Sequence, residues 1–176
     1  MASQYIAKRF QEGGLQPLGE KEFFQPFPFT SGVKVAKDQN TMTVAASDGG
    51  HILTVEKDFR PLSFSENARV EGPVAFVGYG LKTPDAGQDG YDSYGDFDVK
   101  GKIVFVLQYV PESVSVDRRM HLNMYSGLRY KATIAREHGA KALIVVTGPT
   151  SPNAGKLMPL GYDQSLSGSG IPVVSV

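Results

Sequence analysis

Between Asp98 and Thr147 the apolar positions change period twice. Ile103 to Leu107 and Ala142 to Val146 are continuous apolar runs, whereas Met124, Leu128, Ala132 and Ala135 between them recur at four, four and three residues. Continuous runs suit strands covered on both faces, and the wider spacing puts its four residues on one helical stripe, with Arg129, Lys131, Arg136 and Glu137 free to reach water. The pattern therefore predicts a strand, helix, strand unit: DVKGKIVFVLQY, then LNMYSGLRYKATIAREHG, then AKALIVVT. Its two strands should pair in parallel, joined by the crossover helix. Gly139 ends that helix, because glycine takes the left-handed capping conformation without a Cβ penalty. His138 before it would, if protonated, favour the helix's negative end.

Elsewhere the pattern is mostly β. Ser3 to Gly13 predicts a short amphipathic helix, capped by Ser3 and stopped by the Gly13-Gly14 pair. In the following segment Pro26 and Pro28 interrupt the aromatic run Phe23, Phe24, Phe27, Phe29, which limits it to an edge strand or an extended piece lying on a neighbour. TMTVAA and HILTV flank Ser47-Asp48-Gly49-Gly50 and predict a hairpin. Strands are also expected over Arg60 to Ser65, Val70 to Tyr79 and the closing IPVVSV, with Gly148 to Gly170 as a long loop. Together these describe a mixed α/β domain with few helices. Because IPVVSV ends in mid-strand, a C-terminal truncation is expected.

Composition changes the picture in three places. A length of 176 residues at 41% hydrophobic content is enough to bury a substantial core. Eighteen basic residues balance eighteen acidic ones, so charge gives no reason to expect nucleic acid or an anionic membrane as partner. The absence of cysteine excludes disulfides and thiolate metal sites. No apolar run approaches a membrane span, and MASQYIAKRF lacks an apolar signal core.

Candidate chemistry is sparse. His51, His121 and His138 belong to neither H-E-x-x-H nor H-x-D, and structural or solvent roles suit them better than zinc ligation. No G-x-S-x-G elbow occurs, and the SGSG of Ser167 to Gly170 is expected to be flexible loop. Gly78 and Gly80 begin a dinucleotide fingerprint, but Thr83 stands where its third glycine should be. Gly78-Tyr79-Gly80 instead suggests a strand end where backbone approaches another element closely. The acidic loop Asp85 to Asp98 has part of a calcium pattern without its terminal bidentate glutamate, so Asx-turns are the preferred expectation for Asp85, Asp89, Asp92, Asp96 and Asp98.

The blocks VAFVGYG, GYDSYGDFDVKGKIVFVLQYVP, LRYKATIAREHGAKALIVVTGP and SGIPVVSV, in that order, resemble the protease-associated domain. The resemblance is to the one inserted in zinc-dependent aminopeptidases of the glutamate carboxypeptidase and transferrin receptor-like family, and it covers about Phe59 to Val176. It implies a mixed, β-barrel-like sheet with one βαβ unit. By the same resemblance, residues 1–46 are similar to the start of the peptidase domain and residues 47–176 form the protease-associated domain. The stranded aromatics would then pack on a peptidase body outside this chain.

For function, the resemblance implies a non-catalytic lid, substrate-recognition or protein-interaction module of a hydrolase. Partners would be its own peptidase domain and a peptide or protein substrate, in an extracellular or periplasmic setting. Zinc is expected in the catalytic domain, whose ligand motifs do not occur here, so no catalytic, cofactor or metal residue is assigned. Val114 to Arg129 is the expected cleft-facing edge, where Arg118, Arg119 and Arg129 could meet a substrate carboxylate, the preferred alternative being that they are solvated surface arginines. The alternatives are a stand-alone protein- or peptide-binding domain and, more remotely, a small-molecule enzyme.

Overall fold

A computed structural model describes residues 2–29, 31–47, 49–85, 90–95, 97–162 and 168–176. Chain contacts divide it into two units, Met1–Gly32 and Val33–Val176.

In the first unit, α1 (Ala2–Glu12) begins one residue before the expected Ser3 cap. It stops at Gly13-Gly14, where Gly14 takes φ +75° and the Leu15 amide returns to Phe10 O at 3.0 Å. Phe23 packs on Phe10, ring centroids 6.1 Å apart, so one of the four aromatics finds a neighbour within the unit. Phe24, Phe27 and Phe29 are exposed.

The second unit begins with the predicted hairpin, β1 (Met42–Ala46) antiparallel to β2 (Gly49–Leu53). The expected boundary between residues 46 and 47 falls at this hairpin's turn, whose Asp48 lies outside the described residues. A five-stranded sheet follows, ordered β3 (Arg60–Pro61), β7 (Val173–Ser175), β6 (Ala142–Val146), β5 (Ile103–Leu107), β4 (Val74–Phe76). β3 runs antiparallel to β7, and all other neighbours are parallel. β5 and β6 pair from Ile103↔Ala142 to Leu107↔Val146, as the sequence pattern required. β3 and β4 are shorter than expected.

The crossover differs from expectation. It is two helices, α2 (Val116–Asn123) and α3 (Leu128–Glu137), parted where Gly127 is extended at ψ 134°. Met124 therefore caps α2 and is 69% exposed, off the sheet-facing stripe. Leu128, Ala132 and Ala135 do face the sheet, against Val104, Val106, Leu143, Val145 and Val173. Lys131 corrects the pattern more sharply. Expected in water, it is 0% exposed, because its i+3 position from Leu128 lies on the same stripe.

Gly139 caps α3 as predicted. At φ +81° it donates to Arg136 O at 2.8 Å while the Ala140 amide reaches Ala135 O at 3.0 Å, the paired bonds of a Schellman turn. The helix stripe covers one sheet face only. Val104 and Val106 are fully buried beneath it, but Ile103, Phe105 and Leu107 on the opposite face are only partly buried, so β5 is not fully covered on both faces as its apolar run suggested. Gly80 confirms a close approach, since a Cβ there would stand 2.6 Å from Val106 Cγ1. Ser169 is held rather than loose: it is buried, and its amide donates to Phe64 O at 2.8 Å.

Candidate functional site

The expected cleft edge, Val114 to Arg129, comprises α2 and the start of α3, and the loop residues 81–85 and 90–95 lie against it. Ser115 starts α2 by accepting the Arg118 amide at 3.3 Å. The loop closes on itself at its base. The Thr83 amide donates to Tyr91 O and the Tyr91 amide to Thr83 Oγ1, Ser93 returns to Leu81, and Lys82 Nζ meets Asp92 Oδ2 at 2.9 Å. Asp92 Oδ1 also accepts the amides of Tyr94 and Gly95, and Asp98 Oδ1 accepts that of Lys100, so these two aspartates form the anticipated Asx-turns. Burial pushes the Asp92 carboxyl upward, but Lys82 and the two amides together outweigh it and hold it below the usual carboxylate range. Asp89 and Asp96 lie outside the described residues, and among those described no cluster of three or more metal-ligating side chains forms.

Helix and loop are clamped by side chains. His121 Nε2 lies 2.7 Å from Asp85 Oδ2, both partly exposed. The His121 ring meets the edge of Tyr125, Tyr125 packs on Tyr130, and the Tyr130 hydroxyl donates to Lys82 O at 2.6 Å. The three arginines have separate partners. Arg118 donates to Gly90 O at 2.8 Å, Arg119 donates to Glu112 O, and the Arg129 guanidinium lies 4.6 Å over the Phe64 ring. They bind this edge together, tying α2 to its loops and α3 to Phe64. Nothing in the residue pattern announced the His121–Asp85 pair, which joins positions 36 apart. His51 lies exposed on β2, and His138 stacks on Tyr94 at 4.4 Å with its Nδ1 2.9 Å from Ile134 O.

A second surface was not foreseen. Phe76, Leu107 and Val146 are the last residues of three adjacent parallel strands, and with Phe105 they floor an open trough of about 720 Å³ on the face away from α3. Thr147, Pro149, Ala154 and Gly155 complete its wall. Phe76 is 54% exposed and tilts against Phe105 at 5.9 Å. Open α/β sheets characteristically offer ligands this place, beyond the carboxyl ends of parallel strands.

The wall is tied to the exit of β5. Thr147 Oγ1 donates to Gln108 Oε1 at 3.1 Å, Thr150 Oγ1 to Glu112 Oε2 at 2.6 Å, and Asn153 Nδ2 to the Tyr109 hydroxyl at 3.1 Å. Tyr109 itself is left-handed, at φ +56°. Beneath it the buried Lys131 Nζ donates to Leu107 O at 2.8 Å and Tyr109 O at 2.7 Å. Burial alone pushes this amine down to about 7.

No curated protein matches the sequence. Among solved structures the chain is similar to a chain described as "Aminopeptidase from Aneurinibacillus sp. strain AM-1", at 22% identity and a TM-score of 0.47, with 99% of this chain and 32% of that one covered. This chain thus spans about a third of that protein's length. The family model described as "PA domain" matches residues 64–176, more than half of the chain and including the whole parallel portion of the sheet, and the chain accordingly belongs to the PA domain family.

Proposed function

We propose that this chain is the non-catalytic recognition module of a zinc-dependent exopeptidase resembling the aminopeptidases, exported from the cytoplasm and working beside a peptidase domain that carries the metal. One observation carries the reading. The polar side chains of the expected cleft edge, His121, Asp85, Arg118 and Arg119, hold the domain's own loops, while the open surface at the strand ends is an apolar trough. Such a surface suits side-chain recognition better than bond cleavage.

The purified chain, incubated with zinc and dialysed, should retain none and should leave aminoacyl and dipeptide substrates intact. Stoichiometric zinc together with turnover would overturn the proposal.

A second reading, a stand-alone protein- or peptide-binding domain, draws on the same trough. The coding sequence beyond Val176 separates the two. An H-x-D motif within the next several tens of codons supports the exopeptidase module, and a stop codon directly after Val176 supports the independent domain.

A further inference from the structure

Lys131 is fully enclosed and, among the described residues, has no counter-ion. Its two acceptors, Leu107 O and Tyr109 O, match the two N–H bonds of a neutral amine, and among the described residues nothing accepts a third. Tyr109 is held in a left-handed conformation that a bulky residue rarely adopts, a strain that opening of the β5 exit would relieve. Through Asn153 the Tyr109 hydroxyl also reaches the wall of the trough beside Ala154 and Gly155.

From these juxtapositions we propose that Lys131 and Tyr109 form a proton-sensitive latch on the trough. Neutral, the Lys131 amine pins the β5 exit and, with it, the trough wall. On taking a proton it favours a state in which that exit lifts and water reaches Nζ.

The direction follows from linkage. An amine that is buried when closed and hydrated when open binds its proton more tightly in the open state, so acid favours opening. The window runs from the hydrated lysine value of 10.5 down to the closed value of about 7. No neighbouring charge reverses the sign. The titratable groups on the β5 exit are Tyr109 and Glu112, and Glu112 accepts Thr150 Oγ1. On α3 they are Arg129, over Phe64, Tyr130, bonded to Lys82 O, Arg136, which donates to Ser169 O, and the exposed Glu137, while β6 contributes none. None of them shifts the Lys131 amine, for which burial is the sole cause. The latch goes beyond the proposed function, because it does not depend on which partner fills the trough.

Amide hydrogen exchange on the free chain tests it without any ligand. After correction for intrinsic exchange, protection of residues 107–110 and 148–156 should rise about tenfold per pH unit from pH 7 to 9. This opening should be insensitive to low denaturant, unlike global unfolding. Lys131→Met should abolish the slope. If that variant fails to fold, Asn153→Ala decides: the slope should persist at 107–110 and vanish at 148–156. A flat profile in the wild type, an unchanged slope in Lys131→Met, or a slope kept at 148–156 in Asn153→Ala would overturn the latch.

Discussion

Lys131 shows how one residue's position outweighs its chemistry. A lysine is among the residues least expected to be fully enclosed, yet the i+3 relation to Leu128 carries it beneath the β5 exit. Global stability should register this. Folding moves the amine from its ordinary value of 10.5 to about 7, so the unfolded chain binds more protons throughout that window. The resulting stability is fully present above pH 10.5 and is lost as pH falls toward 7, at up to about 1.4 kcal/mol per pH unit. Urea unfolding of the wild type and Lys131→Met across pH 7 to 9.5 should give curves that diverge in the wild type's favour as pH rises. Parallel curves would mean that the amine titrates as it does in water.

Helix ends decide the crossover at the scale of elements. α2 and α3 together occupy the place of one expected helix, because Gly127 extends the chain between them and Ser115 begins the first of them. Ser115→Ala removes the side-chain acceptor for the Arg118 amide and should cost about 1 kcal/mol. Its amide protection loss should centre on α2.

Gly139→Val acts at the other end, with a larger effect expected. It forces a β-branched residue to φ +81° and sets its Cβ 3.2 Å from Lys100 Cγ, in the turn that leads into β5. A loss on the order of 1 kcal/mol or more, read as a lowered melting temperature, is expected. No change in melting temperature would contradict the Schellman assignment.

At the scale of the whole molecule, the chain divides its apolar surface unequally. The second unit encloses its core between α3, one face of the sheet, and Val77, Tyr94 and Val99. The first unit leaves Phe27 76% and Phe29 77% exposed. Exposed aromatics at that density favour self-association. Phe27→Ser should therefore raise the soluble fraction and leave the melting temperature unchanged. Phe23→Ser should instead loosen α1, since Phe23 rests on Phe10. A marked fall in melting temperature on Phe27→Ser would show that its ring is core.

The residue order by itself determined the parallel β5–β6 pair, the hairpin, the Gly139 cap and the close approach at Gly80. Each depends on local periodicity or on the conformational freedom of glycine, which neighbouring positions reveal. It also determined the family, through blocks whose order survives although each is short. Tertiary structure alone decided which sheet face stays open, that Lys131 lies inside, that Tyr109 is left-handed, and that His121 meets Asp85. Those outcomes join residues distant along the chain, such as Tyr109 with Asn153, or depend on how α3 is rotated over the sheet. A one-dimensional pattern carries the period of a helix, whereas the depth to which each of its side chains sinks is set by what the fold brings above it.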